Sequence, residues 1–173
     1  MGDFGHKIAY AVWHYISFGA TNVIYGSKFT CSQNGRANCI KAYLKNSDDN
    51  IRNFKCAIYT DDNGPKKLVG QTGETAVAAS ETGAWYSCTF AAPPKLTAAT
   101  VYWLVAWAAD ADALVGVQIS YHAGTANQGC EKSVNYNNYP NPLEGELLVN
   151  DELSIYCEYT YIATYLEVKH HRK

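Results

Sequence analysis

The chain has 173 residues, of which 47% are hydrophobic, 17% charged and 13% aromatic, with 14 Tyr, 5 Phe, 4 Trp and a formal net charge of −2. That length suits one domain with its own core, and few charges beside many tyrosines favour β-sheet and exclude a disordered chain. The charge supplies no basic field for nucleic acid and no cationic face for anionic lipid.

The chain opens Met1-Gly2-Asp3-Phe4-Gly5-His6-Lys7, and an apolar run from Ile8 to Phe18 follows, interrupted by Tyr10, His14, Tyr15 and Ser17. The run is too short and too polar for membrane insertion, and it lacks the apolar segment and cleavage site of a secretory signal peptide. Three expectations follow: the chain stays in the cytosol, has lost a signal, or leaves the cell by another route, such as inside a virion.

Period-two alternation then recurs, and no 3.6-residue period is sustained. It predicts strands near 8–18, 23–31, 38–46, 53–60, 66–72, 74–80, 84–91, 100–109, 114–122 and 152–168. Turn signals separate them at Asn34-Gly35, Ser47-Asp48-Asp49-Asn50, Asp61-Asp62-Asn63-Gly64-Pro65, Thr82-Gly83 and Ala92-Pro93-Pro94. About ten short strands at this spacing predict an all-β fold, an antiparallel β-sandwich or barrel. Residues 101–107 are apolar almost throughout, as a central strand covered on both faces would be.

Residues 123–151 form a long polar connection, and a loop of that length in a compact domain is usually functional or partly mobile. At the C-terminus, alternation continues from 152 to 168. One strand of that length would span roughly 55 Å at about 3.3 Å per residue, more than a small sandwich covers. Either a bend splits it, or its end overhangs and pairs with a neighbouring subunit by strand addition. The expected division is an N-terminal strand segment (1–22), a sandwich (23–160) and a C-terminal extension (161–173) ending in the basic tail Lys169-His170-His171-Arg172-Lys173.

Six cysteines invite a disulfide reading. However, Cys31, Cys56, Cys88 and Cys157 hold apolar alternation positions, where a free thiol behaves as a small hydrophobe. Both states stay open. No C-x-x-C and no local Cys/His ligand cluster is present, which speaks against zinc.

An ordered series of short motifs covers about half the chain. It includes Gly26-Ser27-Lys28-Phe29-Thr30, Ile40-Lys41-Ala42-Tyr43-Leu44 and Cys56-Ala57-Ile58-Tyr59-Thr60-Asp61-Asp62-Asn63-Gly64-Pro65. Leu68-Val69-Gly70-Gln71-Thr72, Trp85-Tyr86-Ser87-Cys88-Thr89-Phe90, Leu96-Thr97-Ala98 with Tyr102-Trp103-Leu104-Val105, and Ser154-Ile155-Tyr156-Cys157-Glu158-Tyr159 continue it. The series resembles jelly-roll β-sandwich modules of secreted, cell-surface and viral proteins, including domains of the choice-of-anchor type. The resemblance implies a jelly-roll-like sandwich associated with carbohydrate binding, adhesion and surface or virion architecture.

No serine-hydrolase elbow, H-E-x-x-H, P-loop or G-x-G-x-x-G motif occurs. Compact β-jelly-roll xylanases pair two carboxylates across a cleft, for which Glu74, Glu131, Glu146 and Glu158 are the residues to weigh. Their local sequences do not resemble that family, so no catalytic residue and no required cofactor is expected. The oxygen-rich turns at Asp48, Asp49, Asp61, Asp62, Asp110 and Asp112 are candidates for a structural Ca²⁺, although Asp is also simply a good turn residue.

Sugar binding needs an exposed aromatic face with amides or carboxylates beside it. Tyr121, Asn127, Gln128, Asn135, Tyr136, Asn138 and Tyr139 supply both types on one stretch. Trp13 and Trp107 are further candidates, and Trp85 and Trp103 are expected in the core. For assembly, the terminal segments supply Ile8, Tyr10, Val12, Tyr161, Ile162, Tyr165, Leu166 and Val168. The sequence-based expectation is a non-enzymatic surface protein outside the cell or on a virion. It self-assembles into a virion, tail or filament through its terminal strands, with copies of itself as partners; the alternative is a carbohydrate-binding or adhesive module with glycans as partners.

Overall fold

Alternation is realised as strand, and the departures from it fall where side chains replace the ladder. The computed structural model describes residues 1–18, 21–109 and 115–162. Its strands are β1 (Gly2–Gly5), β2 (Trp13–Tyr15), β3 (Ser17–Phe18), β4 (Thr21–Cys31), β5 (Gly35–Asn46), β6 (Arg52–Asp61), β7 (Pro65–Gln71) and β8 (Thr75–Val77). They continue as β9 (Ala84–Thr89), β10 (Lys95–Leu96), β11 (Thr100–Ala108), β12 (Val117–Ala123), β13 (Gly129–Ser133), β14 (Leu147–Val149), β15 (Asp151–Leu153) and β16 (Ile155–Tyr161). Among the described residues no helix is long and apolar enough to cross a membrane.

The strands form two antiparallel sheets packed face to face as a β-sandwich. The first runs β1-β16-β5-β12-β15, with β9 and β10 also on β5 and β2 on β12. The second runs β14-β13-β4-β11-β6-β7, with β3 on β4 and β8 on β6. Ile40, Ala42, Leu44, Ile155 and Cys157 of the first sheet meet Phe54, Cys56, Ile58, Leu104 and Ala106 of the second in one buried core. Enclosing one such Leu or Ile stabilises the fold by roughly 1.5–3 kcal/mol.

β5 shows how parity is kept despite its length. Ala37 and Ile40 both face the core, though three positions apart, because the register with β16 shifts between Glu158 and Tyr159. This β-bulge inserts one residue and turns Lys41, Tyr43 and Lys45 outward together.

β11 and β6 are buried on both faces, as expected for 101–107. Trp103, Val105 and Trp107 of β11, with Ala57 and Tyr59 of β6, point away from the main core into a second cluster roofed by Val134, Tyr136, Tyr139, Leu143 and Leu148. The 123–151 segment is therefore a lid on the second sheet, and it contains β13, β14 and the start of β15, which the polar composition concealed.

Two stretches differ from the expected strands. Residues 6–12 cross the first sheet as an irregular strap, because buried Ser120 and Ser154 take its backbone groups in place of a ladder. The Ser120 hydroxyl accepts from the Tyr10 N–H at 2.8 Å and donates to the Tyr10 carbonyl at 2.9 Å, and the Ser154 hydroxyl donates to the Ile8 carbonyl at 2.6 Å. The same Ser154 separates β15 from β16, so a bend interrupts the stretch expected as one strand, whose positions 163–168 lie outside the described residues. β15 pairs with β12, whereas β16 pairs with β1 and β5.

Candidate functional site

The outer face of the first sheet carries a run of half-exposed aromatic rings. Parity places them: Tyr43 lies between inward Ala42 and Leu44, Tyr156 between inward Ile155 and Cys157, and Trp85 opposite Tyr43 in the β5–β9 register. Trp13, from β2, stands 5.7 Å from Tyr43 with the ring planes 24° apart. Tyr43 and Trp85 are 5.4 Å apart, and Trp85 and Tyr156 are 5.1 Å apart edge to face. Trp85 is 36% exposed, high for an indole in a strand. A surface depression of ≈ 370 Å³ opens at one end, lined by Ala9, Tyr10, Ala11, Trp13, Tyr43 and Thr82.

Gly83 fixes the Tyr43 ring. Its φ of +147° suits glycine, and a Cβ there would stand 3.0 Å from the Tyr43 oxygen, whose hydroxyl donates to the Gly83 carbonyl at 3.3 Å. Charged groups border the rings. Lys45 lies 4.7 Å from the Trp13 ring centre, and Lys7 and Lys41 lie 5.1 and 5.8 Å from that of Tyr156. Such cation–π contacts contribute about 0.5–1 kcal/mol at exposed sites.

Lys41 also donates to Glu158 at 2.8 Å, and Lys7 to Asp3 at 2.5 Å. The Lys41 hydrogen bond holds the Glu158 carboxyl below its ordinary range, and Glu158 in turn raises Lys41. Burial raises the Cys39 thiol, which lies 3.5 Å from the same carboxylate. Donors and acceptors thus alternate beside the aromatic run without a large net charge.

The loop residues named for sugar binding are scattered, and several are structural. Tyr139 is 4% exposed and donates to the Lys55 carbonyl at 2.9 Å, so its ring offers no free face. Tyr136 packs on Trp107, 5.1 Å away, and donates to Glu74 at 2.9 Å. Both tyrosines, with Trp107, surround the Lys55 ammonium at 4.3–5.5 Å, and that ammonium donates to the Asn137 carbonyl. Tyr121 stacks on His14 at 3.7 Å. Gln128 donates to the Lys28 carbonyl at 2.6 Å, and the Asn127 N–H donates to Asn150 at 3.0 Å. Asn135 and Asn138 are exposed. Trp103 and Trp107 are fully buried, the former donating to Asp61 at 2.7 Å.

Sequence reasoning misplaced two tryptophans, offering the buried Trp107 as a sugar platform and expecting in the core the exposed Trp85. Its neighbours Tyr86, Cys88 and Phe90 share the inward parity, and that signal already turns Trp85 outward.

Of the aspartate turns, Asp48 is buried, pairs with Arg52 at 2.5 Å and accepts from the Asn50 N–H at 2.8 Å. Asp49 accepts from Ser80 at 3.1 Å, Asp61 holds Trp103, Asp62 is exposed, and Asp110 and Asp112 lie outside the described residues. Among the described residues, the three-residue group whose side chains converge as metal ligands is His6, His122 and Glu152.

The glutamates weighed for catalysis are engaged elsewhere: Glu74 with Tyr136 and Asn53, Glu131 with Tyr25, and Glu158 with Lys41. Glu146 lies against Gly64.

Of the assembly residues, Ile8 is 58% exposed, Val12 49%, Tyr161 45% and Ile162 44%, and Tyr10 is half-buried over His6 and His122. Tyr165, Leu166 and Val168 lie outside the described residues. All six cysteines are free and buried. Comparison with protein-family models gave no match, and a search of curated proteins gave none either.

Proposed function

We propose that this chain is a non-enzymatic carbohydrate-binding β-sandwich that acts at a surface, and that its glycan lies on the outer face of the first sheet. The observation that carries this reading is the run Trp13–Tyr43–Trp85–Tyr156 on a rigid sheet. A pyranose ring presents an apolar C–H face, which an aromatic ring covers, and hydroxyls at its rim, which need donors and acceptors beside that ring. The ion pairs Lys41–Glu158 and Lys7–Asp3 offer both, and because each is internally neutral they suit an uncharged sugar. The six free, buried cysteines fit a chain that folds in a reducing compartment, as a virion or tail component would before release.

Affinity electrophoresis against a polysaccharide panel tests this. The wild-type chain is expected to be retarded by at least one gel, and Tyr43→Ala with Trp85→Ala to run as in the blank gel. Tyr136→Ala, on the lid, is expected to keep the retardation. Retardation that survives loss of Tyr43 and Trp85 would remove this face from the function.

A second reading, self-assembly through the terminal segments, is favoured by a separate observation. Ile8, Val12, Tyr161 and Ile162 are exposed apolar residues on those segments, and β1 is an edge strand beside β16. An edge strand presents unpaired backbone groups to a further chain. Light scattering across a concentration series is expected to show species heavier than 19.1 kDa, reduced by truncation after Thr160. A constant monomer mass would end this reading.

A further inference from the structure

We propose that His6, His122 and Glu152 form a zinc site that pins the N-terminal strap to the first sheet. The three residues come from distant parts of the chain. His122 and Glu152 are direct cross-strand partners in the β12–β15 ladder, so their side chains rise from one face. His6 follows the last residue of β1, and its N–H donates to the Ile155 carbonyl at 2.8 Å, which sets its ring over the pair.

The ligand atoms of the three side chains all lie within 4.8 Å of one another. His6 Nδ1 is 3.3 Å from Glu152 Oε1, and His122 Nε2 is 3.0 Å from Glu152 Oε2. Zinc binds imidazole nitrogen at about 2.0–2.1 Å and carboxylate oxygen at about 2.0–2.2 Å; in a tetrahedral shell its ligand atoms stand roughly 3.4 Å apart. The two His–Glu separations are close to that value without any ion present.

The hydrogen bonding of the rings points the same way. Nε2 of His122, the nitrogen that faces Glu152, is buried and has no hydrogen-bond partner, whereas His6 turns Nδ1 toward Glu152. The Glu152 oxygen beside His122 Nε2 is near enough for an ion pair but lies off the direction in which that nitrogen bonds. An unsatisfied buried nitrogen is costly, and a cation taken by the lone pair of His122 Nε2 removes that cost. Two imidazoles and one carboxylate are a zinc ligand set, whereas Ca²⁺ takes oxygens. Tyr10 covers the site, its ring 5.5 Å from that of His6 and 4.5 Å from that of His122, and its backbone is clasped by Ser120. A bound ion would therefore join β1, the strap, β12 and β15 at one point.

The test is zinc titration of the full chain, freed of metal, against a chromogenic chelator. His170→Ala with His171→Ala forms the background, because the basic tail carries its own histidine pair. One Zn²⁺ per chain is expected, with binding weakened about 100-fold by His6→Asn and by Glu152→Gln. Glu152→Gln keeps a hydrogen-bonding amide in place, so its metal-free melting temperature should stay close to that of the background, which separates lost binding from lost folding. Co²⁺ in place of Zn²⁺ should give the intense visible bands of a four-coordinate ion, absent from both variants. No binding in the background protein, or binding indifferent to both substitutions, would overturn the proposal. Because the readout is metal binding, neither outcome bears on the glycan face.

Discussion

Burial pushes the thiols of Cys56, Cys130 and Cys157 up, since a thiolate in the core has no solvent. In the unfolded chain a thiol ionises near pH 8.5. A group whose folded pKa is raised contributes stability that is complete below its unfolded pKa and is lost as pH rises. Stability should therefore hold to about pH 8 and then fall, by up to about 1.4 kcal/mol per pH unit for each thiol. Urea midpoints under reductant at about pH 7 and about pH 9.5 measure this. A clear drop is expected, smaller in Cys130→Ala, and equal midpoints would contradict the burial of these thiols.

Asp48 behaves differently because its carboxylate is already paired with Arg52 inside the fold. Asp48→Ala removes this buried ion pair and the acceptor that holds the Asn50 turn, at a cost of about 3 kcal/mol in chemical denaturation. A cost below 1 kcal/mol would mean that the pair is dispensable.

Among elements, β1 is only four residues long yet has a large stake in the core. Its Phe4 is buried between Tyr102 and Tyr159, with ring centres 6.2 and 6.0 Å away. Phe4→Ala should cost about 3–5 kcal/mol and release β1 from β16. Hydrogen exchange should then rise in β1 and in the β16 amides that face it, while β11 stays protected until global unfolding. Equal acceleration in β11 would show that β1 is not a separable element.

The long strands were legible because burial on one or both faces writes itself into composition: alternation in β5 and β16, and an unbroken apolar run in β11. β1 was not, since two of its four residues are glycines and only Phe4 carries an apolar signal. The strap was read as strand because its apolar residues alternate. What decides its path is two serine hydroxyls more than a hundred positions away, which no local pattern encodes. The lid was read as a binding loop for a related reason. Its tyrosines have the composition of a ligand site, and only the fold shows that the second sheet needs a roof.

For the whole molecule, one face of each sheet makes the shared core, and the two outer faces differ. The second sheet's is closed by the lid, with Lys55 held among Trp107, Tyr136 and Tyr139. Among the described residues the first sheet's is crossed by the strap and otherwise exposes Trp13, Tyr43, Trp85 and Tyr156. Much of that face was readable in principle, since Tyr43 and Trp85 each sit opposite in parity to buried neighbours. What could not be read was that β9, β5 and β16 lie side by side, with β2 joined to β5 through β12, because register between distant strands is a property of the fold. The His6–His122–Glu152 group was hidden on the same grounds, with members 116 and 30 positions apart in the numbering.

The most direct test of the glycan face is the indole N–H resonances of the four tryptophans, followed by NMR as a retained polysaccharide fragment is added. Trp13 and Trp85 lie on the proposed face, whereas Trp103 and Trp107 are enclosed beneath the lid. Binding should move the Trp13 and Trp85 signals with saturation and leave Trp103 and Trp107 in place. Movement confined to Trp103 and Trp107 beneath the lid, with both outer indoles unmoved, would contradict the account.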